Sequence, residues 1–388
     1  FEPRMADRRG HFALLADQYL ALAEVNGRVG AVFHHQSWSG ERPPGWHRLF
    51  PIPDHLVGAG FPADQAVLAT YTDYFRQALA HGLDATGASI AVFPTARFLT
   101  LPAIARAISE LPFVRGAILG VMETWPVPDC EDRGLVEAAF RQAAHTLADS
   151  GKNVLVFAES EAIADGLRTL GFPPMAVQTA PYPAAARFAG HGPDRAASNT
   201  PRFLALGASR PVHNPGLLAE YLLSAEASDR SWTVRLNPGL AARHLGQSPA
   251  DVAAALEAHG VTLLPSHFDQ ARYDQTLASA DVMLLPYGER YETIGSGIFL
   301  ECVCAGVIPL VPADSTMRAL YESLGGAAPA IKRTTVEGIA AAVDQCAAQL
   351  PDLQGETAAV RDAWLNHPHG PRQWRENVST QMSTVFEH

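Results

Sequence analysis

Cysteine is scarce in this chain, with four residues in 388: Cys130, Cys302, Cys304 and Cys346. None stands at metal-ligand spacing, and Cys302 and Cys304 flank one residue inside an apolar stretch. They read as reduced core residues of a cytoplasmic protein, not as a disulfide frame or a zinc site. Positive charge is also in short supply. Lys and Arg number 29 against 40 Asp and Glu, a formal net charge of −11. That balance argues against non-specific nucleic-acid binding, which needs a basic face to neutralise phosphates. Long apolar runs are missing as well. The longest, residues 298–313, is interrupted by Glu301, Gly306 and Pro309, so no transmembrane span is expected, and membrane contact would be peripheral. No signal peptide is read at the start, and the opening Phe1-Glu2-Pro3 looks like chain that begins just after a first strand.

What the chain has is length and apolar content. A sequence of 388 residues that is 47% apolar and 18% charged exceeds one ordinary core, so two domains are expected. In the first half, helical periods over 12–26, 66–81, 101–110, 134–150 and 161–170 alternate with short apolar runs at 29–33, 89–93, 116–122, 153–157 and 175–180. A Trp/Pro/Gly-rich stretch, 38–53, reads as a loop. Residues 181–201 turn to Pro, Ala, Gly and Asn without periodicity and read as a linker. The alternation then resumes, with strands at 202–206, 232–236, 261–264 and 282–286 between helices at 216–225, 249–259 and 270–280. Helices follow at 315–324, within 335–350 and from 356 onward. The expected fold class is α/β, two doubly wound Rossmann-like parallel sheets facing across a cleft. The expected domains are 1–182, a linker at 183–200, a second domain at 201–365, and a C-terminal helix, 366–388, crossing back to the first domain.

The stretch Y-E-T-I-G-S-G-I-F-L-E-C-V-C-A-G-V-I-P, residues 291–309, carries the most chemistry. Gly295, Ser296 and Gly297 form a turn without bulk, and a helix opening there points unpaired amides at a phosphate or diphosphate. Glu301, one turn in, suits the two hydroxyls of a ribose. The plainer reading is an ordinary turn with a carboxylate favoured by the helix dipole, an effect of about 0.3 to 1 kcal/mol.

Three segments in the last half carry a resemblance: G-A-S-R-P-V-H-N (207–214), S-A-D-V-M-L-L-P-Y (279–287) and S-G-I-F-L-E-C-V-C-A-G-V-I-P (296–309). In this order they resemble the nucleotide-sugar-binding half of GT-B glycosyltransferases, above all the retaining, family-4-like group 1 class. The first half is similar only in architecture and in Gly10-His11. The resemblance implies transfer of a sugar, a hexose in most of the class, from a UDP-, GDP- or dTDP-linked donor to an acceptor hydroxyl. It implies retention and no metal cofactor. The acceptor would be a glycan, a lipid-linked sugar or a small molecule. A nucleotide-sugar epimerase of the same fold, or a sugar-nucleotide-binding protein without catalysis, is the alternative.

By that resemblance Arg210 grips the donor diphosphate, Glu301 the ribose, and Gly295, Ser296 and Gly297 the phosphates through the backbone. Two departures stand out. The class carries a second glutamate eight positions before the first, where this chain has Thr293. Either Glu292 serves from a longer loop, or Ser296-Gly297 replace it. His213 stands where the class has lysine; a neutral imidazole offers a hydrogen bond without full charge, with Arg235 as a further cation. Tyr287 stacks on the base or merely closes its strand, and Asn214 suits an N-cap. On the acceptor side, Asp7, Arg8 and His11 lie on the first loop. Glu123 follows the strand at 118–122, as a base for direct displacement or as strand-end solvation. Surface arginine is the plain alternative for Arg210. The tandem His34-His35 lacks a third ligand and reads as loop structure. Gly58 to Ala63 fits G-x-G-x-x-A formally, without the βαβ setting a dinucleotide site needs.

Overall fold

The computed structural model describes residues 11–25, 31–35, 46–50, 65–122, 124, 132–173, 176–179, 201–208, 210–265 and 269–386. Two compact units divide the chain, one of residues 1–183 with 373–388 and the other of 184–372. Most of the stretch read as linker lies outside the described residues.

In the first unit, apolar runs and helical periods become β3 (Ile90–Ala96), α3 (Leu101–Glu110), β4 (Gly116–Val121), α4 (Arg133–Asp149), β5 (Asn153–Ala158), α5 (Glu161–Thr169) and β6 (Val177–Thr179). The four strands pair in parallel in the order β3-β4-β5-β6. Every residue of β4 is buried, as a central parallel strand covered on both faces requires. Asp132 and Ser160 cap α4 and α5 by accepting from Leu135 N and Ile163 N.

Before them come α1 (His11–Val25), β1 (Val32–His35), β2 (Trp46–Phe50) and α2 (Gln65–Thr86). Strand β2 falls in the stretch expected to be loop. It pairs in parallel with β1 as a separate ladder. Its Trp-His-Arg-Leu-Phe run is only five residues long and is flanked by prolines, which hid it. The tandem His34-His35 closes β1.

The second unit runs β7 (Arg202–Ala208), α6 (Pro215–Leu222), β8 (Ser231–Leu236), α7 (Pro238–Leu245), α8 (Pro249–Ala258), β9 (Val261–Leu263), α9 (Gln270–Ser279), β10 (Val282–Leu284), α10 (Gly297–Cys304), β11 (Ile308–Leu310), α11 (Thr316–Ser323), α12 (Val336–Ala348) and α13 (Leu350–Leu365). Helix α7 is absent from the sequence reading. Its Pro238-Gly239 opening resembles a turn, yet Asn237 accepts from Gly239 N and Leu240 N, an N-cap with proline in its proper first-turn place. The five strands are parallel, in the order β11-β10-β7-β8-β9. Phe203 and Trp232 stack across β7 and β8 with ring centroids 4.8 Å apart.

The C-terminal stretch is two helices, not one. Trp364 ends in α13 of the second unit, while Trp374 opens α14 (Trp374–Phe386), which belongs to the first. The intervening His-Pro-His-Gly-Pro cannot continue a helix, because each proline lacks an amide donor. Trp374 packs edge-on against Tyr19 of α1 at 5.5 Å and joins a core of Leu22, Ile118, Leu155, Phe157 and Val378. Arg375 Nε donates to Gln18 Oε1 at 2.8 Å. Among the described residues no helix is long and apolar enough to cross a membrane, and Cys302, Cys304 and Cys346 are buried and form no disulfide.

Asp281, just ahead of β10, pins this second sheet. It is 4% exposed. Its carboxylate accepts from Arg202 N at 2.9 Å, Arg202 Nε at 3.2 Å and Gln354 Nε2 at 3.1 Å. Its backbone bonds both Arg202 O and Ile308 N. The side chain thus fixes the start of β7 to α13, while the backbone of the same residue joins β7 and β11. Asp281→Ala strands these donors and is expected to cost about 3 kcal/mol in urea unfolding; a loss below about 1 kcal/mol would contradict this role.

Candidate functional site

In the second sheet β8 and β9 lie on one side of β7, and β10 and β11 on the other. The chain reverses its winding between β7 and β10, and ligands of such sheets sit beyond the strands' carboxyl ends at that point. Two loops meet there: the one after β7, with the single turn Pro211–His213, and the one after β10, with the turn Glu289–Glu292. They are tied together. Gly288 N donates to Val212 O at 3.1 Å and Asn214 Nδ2 to Pro286 O at 2.9 Å.

Asn214 was expected to cap α6. It occupies the N-cap position, but its side chain makes no cap bond and is spent on Pro286. Its backbone is left-handed, φ 51°, alone among the described non-glycine residues. Asparagine tolerates that conformation better than most side chains, and Pro215 needs no capping acceptor.

Between the loops lies an aromatic stack. His213 is 7% exposed, and its Nε2 lies 2.9 Å from the Tyr291 hydroxyl. The imidazole stacks on Tyr287 at 4.6 Å, and Tyr287 meets Tyr291 at 4.3 Å. Burial, and after it the Arg210 guanidinium, pull the His213 pKa down to about 4, with Arg290 and Arg235 adding to the effect and the Gly207 backbone opposing it. His213 is therefore neutral, as expected, but its Nε2 is engaged within the protein. Tyr287 is 1% exposed, which favours the strand-closing reading over stacking on a base. Burial raises its pKa well above the usual tyrosine range. The ring leaves room only for glycine opposite: a Cβ at Gly207 would meet Tyr287 Oη at 2.1 Å.

Three guanidiniums act on the His213 ring. Arg210 is exposed at the end of β7 on extended backbone, φ −127°. Arg235, on β8, is half-buried and donates from Nε to Leu206 O at 3.0 Å. Arg290, half-buried in the turn after β10, is a residue the sequence reading did not single out.

Helix α10 opens at the same edge. Ser296 Oγ caps it by accepting from Phe299 N at 3.3 Å, and the first intrahelical bond runs from Leu300 N to Ser296 O. The amides of Gly297 and Ile298 therefore precede the helical ladder. Gly295 lies in the partly buried turn before them. Glu301 is half-buried, and its Oε2 accepts from the Tyr273 hydroxyl of α9, a second residue the sequence reading passed over. Glu292 is exposed at the turn's end, and Thr293 Oγ1 donates to Arg290 O at 3.3 Å. Gly306 stops the helix at φ 69°, where glycine is favoured.

On the first unit, Asp7, Arg8 and Glu123 lie outside the described residues, as do Gly58 to Ala63. His11 is the first residue of α1 and not part of a loop. A pocket of about 760 Å³ between α1, β3 and α14 is lined largely by apolar side chains, Leu20, Val92, Met382 and Phe386 among them, and takes in none of the sequence candidates. Among the described residues no three His, Cys, Asp or Glu side chains group as metal ligands.

No protein-family model and no curated protein matches this sequence. Solved structures do. Sucrose-phosphate synthase from Thermosynechococcus elongatus aligns at a TM-score of 0.72 and 12% identity, over 99% of this chain and 96% of that one. A structure described as trehalose-6-phosphate from E. coli bound with UDP-2-fluoro glucose aligns at 0.65 and 12%, over 99% and 98%. WaaG, a glycosyltransferase involved in lipopolysaccharide biosynthesis, aligns at 0.59 and 12%, over 100% of both chains. At such identities the likeness is one of fold, and the chain has the GT-B fold of two Rossmann-like units.

The buried imidazole gives a pH test. His213 has a folded pKa of about 4 against an ordinary 6.5, so between those values the unfolded chain binds the extra proton. The stabilisation is whole above about pH 6.5, is lost as pH falls toward 4, and falls no further below that. The full loss is on the order of 3 kcal/mol. Unfolding free energies of wild type and His213→Gln, compared from pH 7.5 to 4.5, should show wild type losing more; a pH-independent difference would contradict the neutral, buried imidazole.

Proposed function

We propose that this GT-B chain is a glycosyltransferase of the retaining group 1 type. It binds a nucleotide-activated sugar at the switch point of its second unit and passes the sugar to an acceptor hydroxyl. The observation that carries this reading is the convergence of the Gly207-to-Asn214 segment, the Tyr287 strand end and the Ser296-to-Glu301 helix start at one sheet edge. These segments lie far apart in sequence, and they carry the donor-site resemblance.

In this proposal Arg210 bonds the donor diphosphate with its planar fork, and the amides of Gly297 and Ile298 donate hydrogen bonds that stabilise the charge growing on it as the glycosidic bond breaks. That stabilisation is electrostatic and requires no metal. Glu301 accepts hydrogen bonds from the ribose hydroxyls, oriented by Tyr273, which holds its other oxygen. His213 acts by packing and not by touching phosphate. Acceptor recognition is assigned to the first unit, with Asp7, Arg8 and His11 as its candidates, and Glu123 is the candidate base. The donor is a UDP-, GDP- or dTDP-sugar, of which the UDP form has support from the UDP-2-fluoro glucose seen in a protein of this fold. The buried reduced cysteines suit a cytoplasmic setting.

Incubation with UDP-, GDP- and dTDP-sugars plus varied acceptors should release the matching nucleoside diphosphate. Binding without release, whatever the acceptor, would favour a sugar-nucleotide-binding protein. Glu301→Ala is expected to weaken nucleotide binding more than about tenfold, the loss of one or two charge-assisted hydrogen bonds. Unchanged affinity in calorimetry would remove Glu301 from the ribose site.

A further inference from the structure

A diphosphate leaving group carries more negative charge than Arg210 alone balances, and the buried His213 ring contributes none. The neighbouring loop supplies a second cation. Arg290 sits in the single turn just beyond β10, on a loop hydrogen-bonded to the one that carries Arg210. Its turn is fixed from three sides. Tyr291 N donates to Gly288 O at 3.0 Å, while Gly288 N reaches across to Val212 O at 3.1 Å. Thr316 Oγ1, on α11, donates to Ile294 O at 2.6 Å and to Tyr291 O at 3.3 Å. The Tyr291 hydroxyl lies on His213 Nε2, so the residue next to Arg290 is locked to the opposite loop.

The two arginines thus project from two loops that are hydrogen-bonded to each other, and both act on the same buried imidazole. Arg235, the third cation near that ring, is committed to Leu206 O through Nε and lies on β8. In a chain of net charge −11, guanidiniums gathered at one sheet edge, beside the opening amides of α10, form a local field suited to a polyanion.

We infer that Arg290 is the second cationic contact of the donor diphosphate, opposite Arg210, and that the Tyr291–His213 pair positions the turn that carries it. The inference rests on the nucleotide-sugar reading of this edge. The chain thereby divides two tasks: charge comes from the loop after β10, and His213 serves as a neutral strut. A lysine at position 213 would instead bury a fourth cation among three arginines.

Calorimetric titration of wild type, Arg210→Gln, Arg290→Gln, Arg290→Lys and Glu301→Ala tests this, with UDP, GDP, dTDP and the corresponding nucleosides as probes. For the diphosphate that binds wild type, Arg290→Gln should weaken affinity about tenfold and leave the weak nucleoside binding unchanged. Arg290→Lys, which keeps the charge and guards against a folding artefact, should stay within about threefold of wild type. If Arg210→Gln and Glu301→Ala weaken the diphosphate while Arg290→Gln does not, the role of Arg290 is wrong and the donor site stands. An equal loss for diphosphate and nucleoside in Arg290→Gln would also overturn direct phosphate contact. If no diphosphate binds wild type, the nucleotide-sugar reading itself falls.

Discussion

The site depends on a tie between two loops. Asn214 Nδ2 to Pro286 O and Gly288 N to Val212 O join the turn after β7 to the turn after β10 where the sheet reverses its winding. Backbone groups at that edge have no further strand to pair with, so these bonds both satisfy them and set the spacing of the loops. Asn214 accepts a left-handed backbone to reach its partner. Arg210, Arg290 and the aromatic stack stand on the two loops joined at that junction, whereas Arg235 is held on β8 by Leu206 O.

Burial decides what each group is able to do. His213 is enclosed by Tyr287 and Tyr291 and remains neutral, because burial and nearby guanidiniums both disfavour its cation. Tyr287 fills the space opposite Gly207 and has no face left for a ligand. Arg210 is exposed and Arg290 and Glu301 are half-buried, in contrast to the buried stack. Asp281 holds the far end of the same strands, so the Ala-Asp-Val segment is structural in its own right.

Much of the fold was legible in the sequence. Apolar runs alternating with helical periods placed the strands of both sheets, because parallel strands buried on two faces write continuous apolar stretches. Strand β2 and helix α7 escaped because proline-rich flanks and a Pro-Gly opening imitate loops at the level of single residues. The helix start that carries Ser296, Gly297 and Glu301 was legible because the three lie within six residues of one another. Arg290, Tyr291 and Tyr273 were not, since their roles come from partners on other elements: His213 lies 78 positions before Tyr291, and Tyr273 is 28 positions before Glu301. Asn214 stands at the N-cap as read but bonds Pro286 O with its side chain, and only burial separates the two readings of Tyr287, since local pattern does not report which atoms a fold buries or which partner a side chain prefers.

The central claim is that a nucleoside diphosphate occupies the junction of these two loops. Hydrogen–deuterium exchange with and without the diphosphate that most raises the melting temperature tests it directly. Slowed exchange is expected in residues 207–214 and 285–301 together, with the amides of Gly297 and Ile298 among those protected. Protection confined to the first unit, or to one of the two loops alone, would contradict it.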